Sequence, residues 1–361
     1  MIRRINIAEV QAGSCLARPV YNQRGTLVIP IGTQLNEGHL RRLGETGVRD
    51  VFIDDPSIPE VEVHDPISEA TKAFAVEVLK DLFDRAAAGT LRGGLGPLYN
   101  KVSQVVKDIQ DDLAEQRDRV TSPIADIEGV DYLVAHSLSV TVLAMDVARH
   151  GNFAPKVFDL GLGCLLHDLG MAAVPPDLRH KPEPLSPEER QVVHRHPQEG
   201  LRLIEETPAL SAFTKVVVLQ HHERASGNGY PKGLKLKDIY PLARLMAIVD
   251  VYSAFLSDRP HRERFTPQRA MDYVVSSAGF DFDFDLTQEF AQRVAPYPVG
   301  TLVTLSTGER GVIVEVRDGV VTRPVVRLFT DPSGAATGQF RDVNLSLPEH
   351  QTTLIVDSGQ A

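Results

Sequence analysis

Two periodicities divide the chain. From about Ile124 to Val294 apolar residues recur at helical spacing, whereas after Pro296 they alternate with polar ones, which is the period of a strand. The second region predicts strands at Gly300 to Leu305, Gly311 to Val316, Pro324 to Phe329 and Thr353 to Val356, with turns at Ser306-Thr307-Gly308, Arg317-Asp318-Gly319 and Asp331 to Gly334. Before the helical region, Ile5 to Ile7, Ser14 to Tyr21 and Thr26 to Ile29 read as short strands, with a turn at Asn22 to Gly25. A helix from about Asn36 to Thr46 and a strand from Val48 to Ile53 follow. The Pro-rich stretch Asp55 to Glu60 reads as a linker, and Ser68 to Arg85 and Leu98 to Gln116 as two helices. Val102, Val105, Val106, Ile109 and Leu113 form a stripe on the second, open to packing or to a dimer seam. The expected fold is mainly α: a helical domain at 119–295, a small α/β domain at 1–55, a linker and helical connector at 56–118, and a small all-β domain at 296–361.

Within the helical region the polar exceptions carry the interest. Gly161 to Met171, GLGCLLHDLGM, predicts an apolar helix that ends in the pair His167-Asp168, with Gly170 as its terminator. His136 lies inside the apolar run Asp131 to Ala144. Ser186-Pro187-Glu188-Glu189 is a capping box that starts a helix carrying His194 and His196, which at i, i+2 cannot both face one site. A helix beginning near Thr207-Pro208 runs into His221-His222-Glu223, followed by the glycine-dense loop Arg224 to Leu234, whose backbone N–H groups suit an anion. Pro241 to Phe255 is an apolar helix with one charge on its buried side, Asp250.

Composition narrows what these groups do. A net charge of -10 argues against duplex nucleic acid as a partner. No run of about 20 apolar residues is present and the start, MIRRINIAEV, lacks a signal peptide's apolar region. The two cysteines, Cys15 and Cys164, fit a reducing, cytoplasmic setting. Buried imidazoles and carboxylates are costly unless paired or bound to metal. Imidazoles and carboxylates without thiolates suit iron, manganese or zinc, and so many groups exceed what one ion of four to six ligands takes, so two ions account for them.

The motifs His136-Ser137, His167-Asp168-Leu169-Gly170, His196-Pro197 with Gly200, His221-His222-Glu223 and Gly229-Tyr230-Pro231 together resemble the HD-GYP family, the HD-superfamily phosphodiesterases that hydrolyse cyclic di-GMP. The resemblance covers about Ile124 to Val294 and implies that 119–295 is a metal-dependent phosphohydrolase domain. It implies His136, His167, Asp168, His196, His221, His222 and Asp250 as ligands of two divalent metal ions, iron or manganese, with Asp168 bridging and catalytic. It selects His196 over His194 through Pro197, and implies Arg259, Arg262, Tyr230 and Gly229 as substrate-binding residues. The implied chemistry is attack on a phosphodiester by hydroxide generated from water between the two ions.

Four positions depart from the family pattern. Met171 stands where a Lys is usual, Ser226 and Ser253 where Asp is usual, and Tyr132 where some members place a Glu for a third metal. Met171 and Ser226 favour an alternative, a member that binds cyclic di-GMP or a signalling partner without hydrolysis; a third reading is hydrolysis of another phosphodiester. The helical connector and the β domain are the surfaces open to a protein partner.

Overall fold

The computed structural model describes residues 2–7, 10–17, 20–21, 27–45, 50–54, 58–91, 93–116, 120–123, 130–257 and 264–359. The chain separates into two compact units, one formed by Met1–His64 with Tyr297–Ala361, the other by Asp65–Pro296. The architecture is mainly helical, with a small α/β part at the N-terminal end and a small all-β part at the C-terminal end.

In the first unit the N-terminal part contains β1 (Ile2–Asn6), β2 (Cys15–Leu16), β3 (Val20–Tyr21), β4 (Leu27–Ile29), α1 (Glu37–Glu45) and β5 (Asp50–Asp54). β5 is the centre of an antiparallel sheet ordered β1-β5-β2, and Leu16, Leu35, Leu43 and Val51 are buried together beside it. The turn expected at 22–25 lies outside the described residues.

The C-terminal part is a five-stranded antiparallel sheet ordered β10-β6-β7-β8-β9, built from β6 (Leu302–Leu305), β7 (Arg310–Glu315), β8 (Val325–Thr330), β9 (Ala336–Asn344) and β10 (Ile355–Gly359). One group of apolar residues, Val303, Leu305, Ile313, Val326 and Leu328, forms a core. A second, Leu302, Val312 and Phe329, packs with Ile58 from the stretch that reads as a linker. Both faces of β7 and β8 are thus covered, which explains their nearly continuous apolar runs. β9 was not foreseen, because its first seven residues are exposed and show no apolar alternation. It is held by its ladder to β8, where Arg327 also pairs with Asp342.

The second unit holds α2 (Glu69–Ala87), α3 (Leu98–Glu115), α4 (Tyr132–Ala148), α5 (Val157–Leu166), α6 (Pro176–Arg179), α7 (Pro187–Val193), α8 (His196–Ile204), α9 (Ala212–Gln220), α10 (Pro241–Leu256), α11 (Pro267–Ser276) and α12 (Phe284–Arg293). Ser68, Asp131, Ser211, Thr266 and Asp283 cap helices through side-chain oxygens, and Ser186 with Glu189 closes the foreseen capping box. α4 is buried on nearly every side, as an all-round apolar helix must be. The stripe on α3 is packing rather than a free seam, since Val102, Val105, Val106 and Ile109 are each 0% exposed in the single chain.

Two expectations fail here for local reasons. Gly170 does not end a helix by a left-handed turn. α5 stops at Leu166, and Gly170 lies in a 3-10 turn, Leu169–Ala173, against the start of α8. A Cβ there would collide with the His196 carbonyl and the Gly200 amide. Nor do His194 and His196 share a helix: α7 ends at Val193 and α8 begins at His196, with Pro197 in its first turn. Gly170→Ala is therefore expected to cost about 1–3 kcal/mol in urea unfolding, because backbone rather than a movable side chain meets the new methyl. Gly44→Ala, where nothing lies within 4 Å, should be neutral or stabilising; a neutral Gly170→Ala would contradict the close contact.

Candidate metal centre

The helix ends of the second unit converge on one buried cluster. His167 and His221 cap the C-termini of α5 and α9, His196 opens α8, and His136 and Asp250 come from within α4 and α10. Three rings are anchored in the same way, by the carbonyl three residues earlier: His167 Nδ1 to Cys164 O at 2.7 Å, His196 Nδ1 to Val193 O at 2.9 Å, and His221 Nδ1 to Val218 O at 2.7 Å. A carbonyl only accepts, so each Nδ1 must carry the proton. The bond satisfies carbonyls near a helix end and turns Nε2 inward, as metal-binding histidines are commonly oriented.

Those inward nitrogens lack suitable protein partners. His196 Nε2 lies 3.1 Å from His221 Nε2, so two lone pairs face each other unless a proton or a cation stands between them. His167 Nε2 is 3.2 Å from Asp168 Oδ2 but outside hydrogen-bond geometry, and it and His136 Nδ1 are buried without a hydrogen-bond partner among the described residues. Asp168 reaches the other way as well, Oδ1 lying 3.2 Å from His196 Nε2. Asp250 Oδ1 meets His136 Nε2 at 2.9 Å, and Oδ2 lies 3.6 Å from His222 Nδ1.

All seven expected ligands fall into two groups able to hold a metal ion: Asp168, His196, His221 and His222 in one, His136, His167 and Asp250 in the other. Within each, the ligand atoms lie within 4.8 Å of one another. Orphaned imidazole nitrogens and ionised carboxylates with no thiolate are a donor set that fits borderline divalent cations.

The electrostatics agree with that fit. Burial disfavours the charged form of both carboxylates, yet His167 and His196 beside Asp168, and His136 and His222 beside Asp250, hold both below the usual carboxylate range. Burial also opposes protonation of His167, but Asp168 and Asp250 outweigh it and raise this imidazole to about 9. Burial and the neighbouring His167 and His196 lower His221 to about 3, and burial with His221 beside it drives His222 well down. A cation held by this group would displace a proton from His167.

The loop after α9 is built around Glu223. This carboxylate is 1% exposed and accepts from Lys232 N at 2.8 Å and Leu234 N at 2.7 Å, so the anion met by these loop amides is the chain's own. Tyr230 N donates to His222 O at 3.1 Å, and Arg224 Nη1 donates to His221 O and Glu223 O. Gly229 admits no side chain, for a Cβ would meet Glu223 Cα and His222 O at 2.5 Å. Ser226 donates to Asp281 Oδ1 at 3.3 Å, while Ala225 N donates to Asp281 O, so the loop stays anchored despite the shorter residue. Tyr230 packs beside His222, ring centroids 4.6 Å apart.

Residues 116–286 match a family described as HD domain, and residues 302–360 one described as KOW domain associated with HD domain. The chain is 30% identical over 369 residues to the cyclic di-GMP phosphodiesterase PA4108 of Pseudomonas aeruginosa, an alignment covering 91% of this chain and 85% of that one. The chain belongs to the HD-GYP family. A second relative of this HD-GYP protein, the cyclic di-GMP phosphodiesterase response regulator RpfG of Xanthomonas campestris, is 39% identical over 121 residues, 33% of this chain and 32% of that one. A solved structure, Bd1817, a HDG"Y"P protein from Bdellovibrio bacteriovorus, aligns at 18% identity and TM-score 0.47, over 81% of this chain and 98% of that one.

The remaining expected positions are less informative or differ in detail. Arg259 and Arg262 lie outside the described residues; Phe255 and Phe265 stack at 4.7 Å, and Phe265 N donates to Phe255 O at 2.8 Å. Met171 is half-buried in the turn after Asp168, its N–H donating to Asp168 O at 2.8 Å. Tyr132 stacks on His136 at 5.3 Å. Sequence reasoning missed the role of Glu223 and the proximity of His194, whose ring stacks on Tyr230 at 3.9 Å. Pro197 was the available sign that a new helix begins at His196.

Metal-free protein should be most stable near pH 6.5. Below it the unfolded chain binds more protons than the folded one through His221, so stability rises with pH from about 3; above it folded His167 keeps its proton, so stability falls towards about 9. Melting of chelator-treated protein across pH 5–9 checks this, and a melting temperature that rises steadily to pH 9 would contradict it. Adding Mn(II) at pH 8 should raise the melting temperature, by the linkage of binding to folding.

Proposed function

We propose that the chain is a metal-dependent phosphodiesterase that hydrolyses cyclic di-GMP at a two-metal centre. The observation that carries this reading is the placement of Asp168, whose two oxygens lie 3.2 Å from imidazole nitrogens of the two different ligand groups. The relatives' names support the substrate. His136, His167, Asp168, His196, His221, His222 and Asp250 would hold the ions, with Asp168 shared between them. Bound iron or manganese would supply Lewis acidity at the phosphoryl oxygens and lower the pKa of water.

The chain's own residues supply orientation. The Nδ1 bonds to Cys164, Val193 and Val218 hold three rings with Nε2 inward, and ionised Asp168 and Asp250 balance the cationic charge. Glu223 fixes the loop that carries Gly229 and Tyr230 beside His222. Arg259 and Arg262 would hold non-bridging phosphate oxygens by charge-assisted bonds. No helix among the described residues is long and apolar enough to cross a membrane, and the free thiols of Cys15 and Cys164 suit a cytoplasmic setting.

Met171 supports a second reading, nucleotide binding without turnover, because an apolar side chain replaces a cation one turn after Asp168. Loss of one preorganised electrostatic contact costs roughly 10²–10³ in rate. Protein purified anaerobically and loaded with Fe(II) or Mn(II) is expected to hydrolyse cyclic di-GMP, with Asp168→Ala abolishing turnover and Met171→Lys raising it. Two bound metals and nucleotide binding without turnover would select the second reading. Neither binding nor turnover would contradict both.

A further inference from the structure

His194 belongs to neither candidate ligand group, yet its position is closely determined. It is the C-cap of α7, its N–H donating to Arg190 O and Val192 O. The first turn of that helix is tied by Ser186 and Glu189, and Glu189 accepts Lys181 Nζ at 2.7 and 2.8 Å. From this support the imidazole lies nearly parallel to the Tyr230 ring, 3.9 Å between centroids and 7° between planes. Tyr230 is 4.6 Å from His222 and 6.1 Å from His196. The single turn His194-Arg195-His196 therefore presents one ring to the cluster and another to the tyrosine beside it.

The loop side leaves work for such a contact. Its backbone is fixed by Tyr230 N to His222 O and by the Glu223 bonds, but the two side-chain torsions of Tyr230 are set by what surrounds the ring. We propose that His194 is a positioning residue: by stacking on Tyr230 it fixes the plane of that ring beside His222, and so the surface that meets the nucleotide. The inference rests on the proposed function for the identity of the nucleotide, not for the stack. It requires an aromatic face at 194 and neither of its nitrogens, so phenylalanine should replace it. Aromatic pairs contribute enough beyond burial to change an equilibrium roughly threefold to tenfold.

The chain contains no tryptophan, so Tyr230→Trp gives a single reporter in the full-length, Mn(II)-loaded protein. Adding His194→Ala is expected to increase acrylamide quenching of that tryptophan at least twofold with metal content unchanged, and His194→Phe to restore it. With Tyr230 intact, His194→Ala should raise KM for cyclic di-GMP roughly threefold to tenfold with kcat nearly constant, and His194→Phe should return it. Quenching unaffected by His194→Ala would overturn the proposal. So would loss of metal with a fall in kcat that His194→Phe fails to rescue, because His194 would then act through a nitrogen. If the unsubstituted protein hydrolyses nothing, the proposed function fails, and the quenching comparison decides the stack alone.

Discussion

Burying two carboxylates and four imidazoles in the core of a helical unit is the constraint on which this structure depends. Asp168, Asp250, His136, His167, His196 and His221 are all at most 8% exposed. Charged groups so placed are tolerated only when paired, hydrogen-bonded or bound to a cation. Here pairing is incomplete: His167 Nε2 and His136 Nδ1 have no hydrogen-bond partner among the described residues, and two Nε2 atoms face each other. The apolar packing around the cluster supports an arrangement whose own groups favour a cation.

The surrounding elements are placed to make that arrangement rigid. α5 and α9 both stop where their last carbonyls anchor an imidazole, so helix termination and ligand orientation are one event. Gly170 and Gly200 let the turn after Asp168 lie against the start of α8, which brings His196 to the carboxylate. Glu223, immediately after the histidine pair, gathers the loop amides, so the segment that ends the α9 ligands also holds Tyr230.

Much of this was legible in the chain. α2 and α7 begin at the expected Ser68 and Ser186, and all seven residues picked out by motif lie in the two groups that could hold a metal ion. That legibility has a physical basis: a charged or imidazole side chain in an apolar helical run is costly, so it stands out. What was hidden depended on contacts between segments. β9 is a strand only because β8 lies beside it, and Ile58 is buried only because the sheet offers it a face. Periodicity, assuming one continuous helix, left only one of His194 and His196 for the site and the family resemblance chose His196, but a two-residue break with Pro197 after it turned the His194 ring to Tyr230. Gly170 read as a terminator because local signals do not show which backbone will lie against it.

In the proposed centre Asp168 is shared by two cations. Anomalous diffraction from crystals grown with Mn(II), collected on either side of the manganese edge, tests it most directly. Two peaks are predicted, one among His196, His221 and His222 and one among His136, His167 and Asp250, with an oxygen of Asp168 bound to each. A single peak, or two peaks with Asp168 bound to only one, would contradict the account.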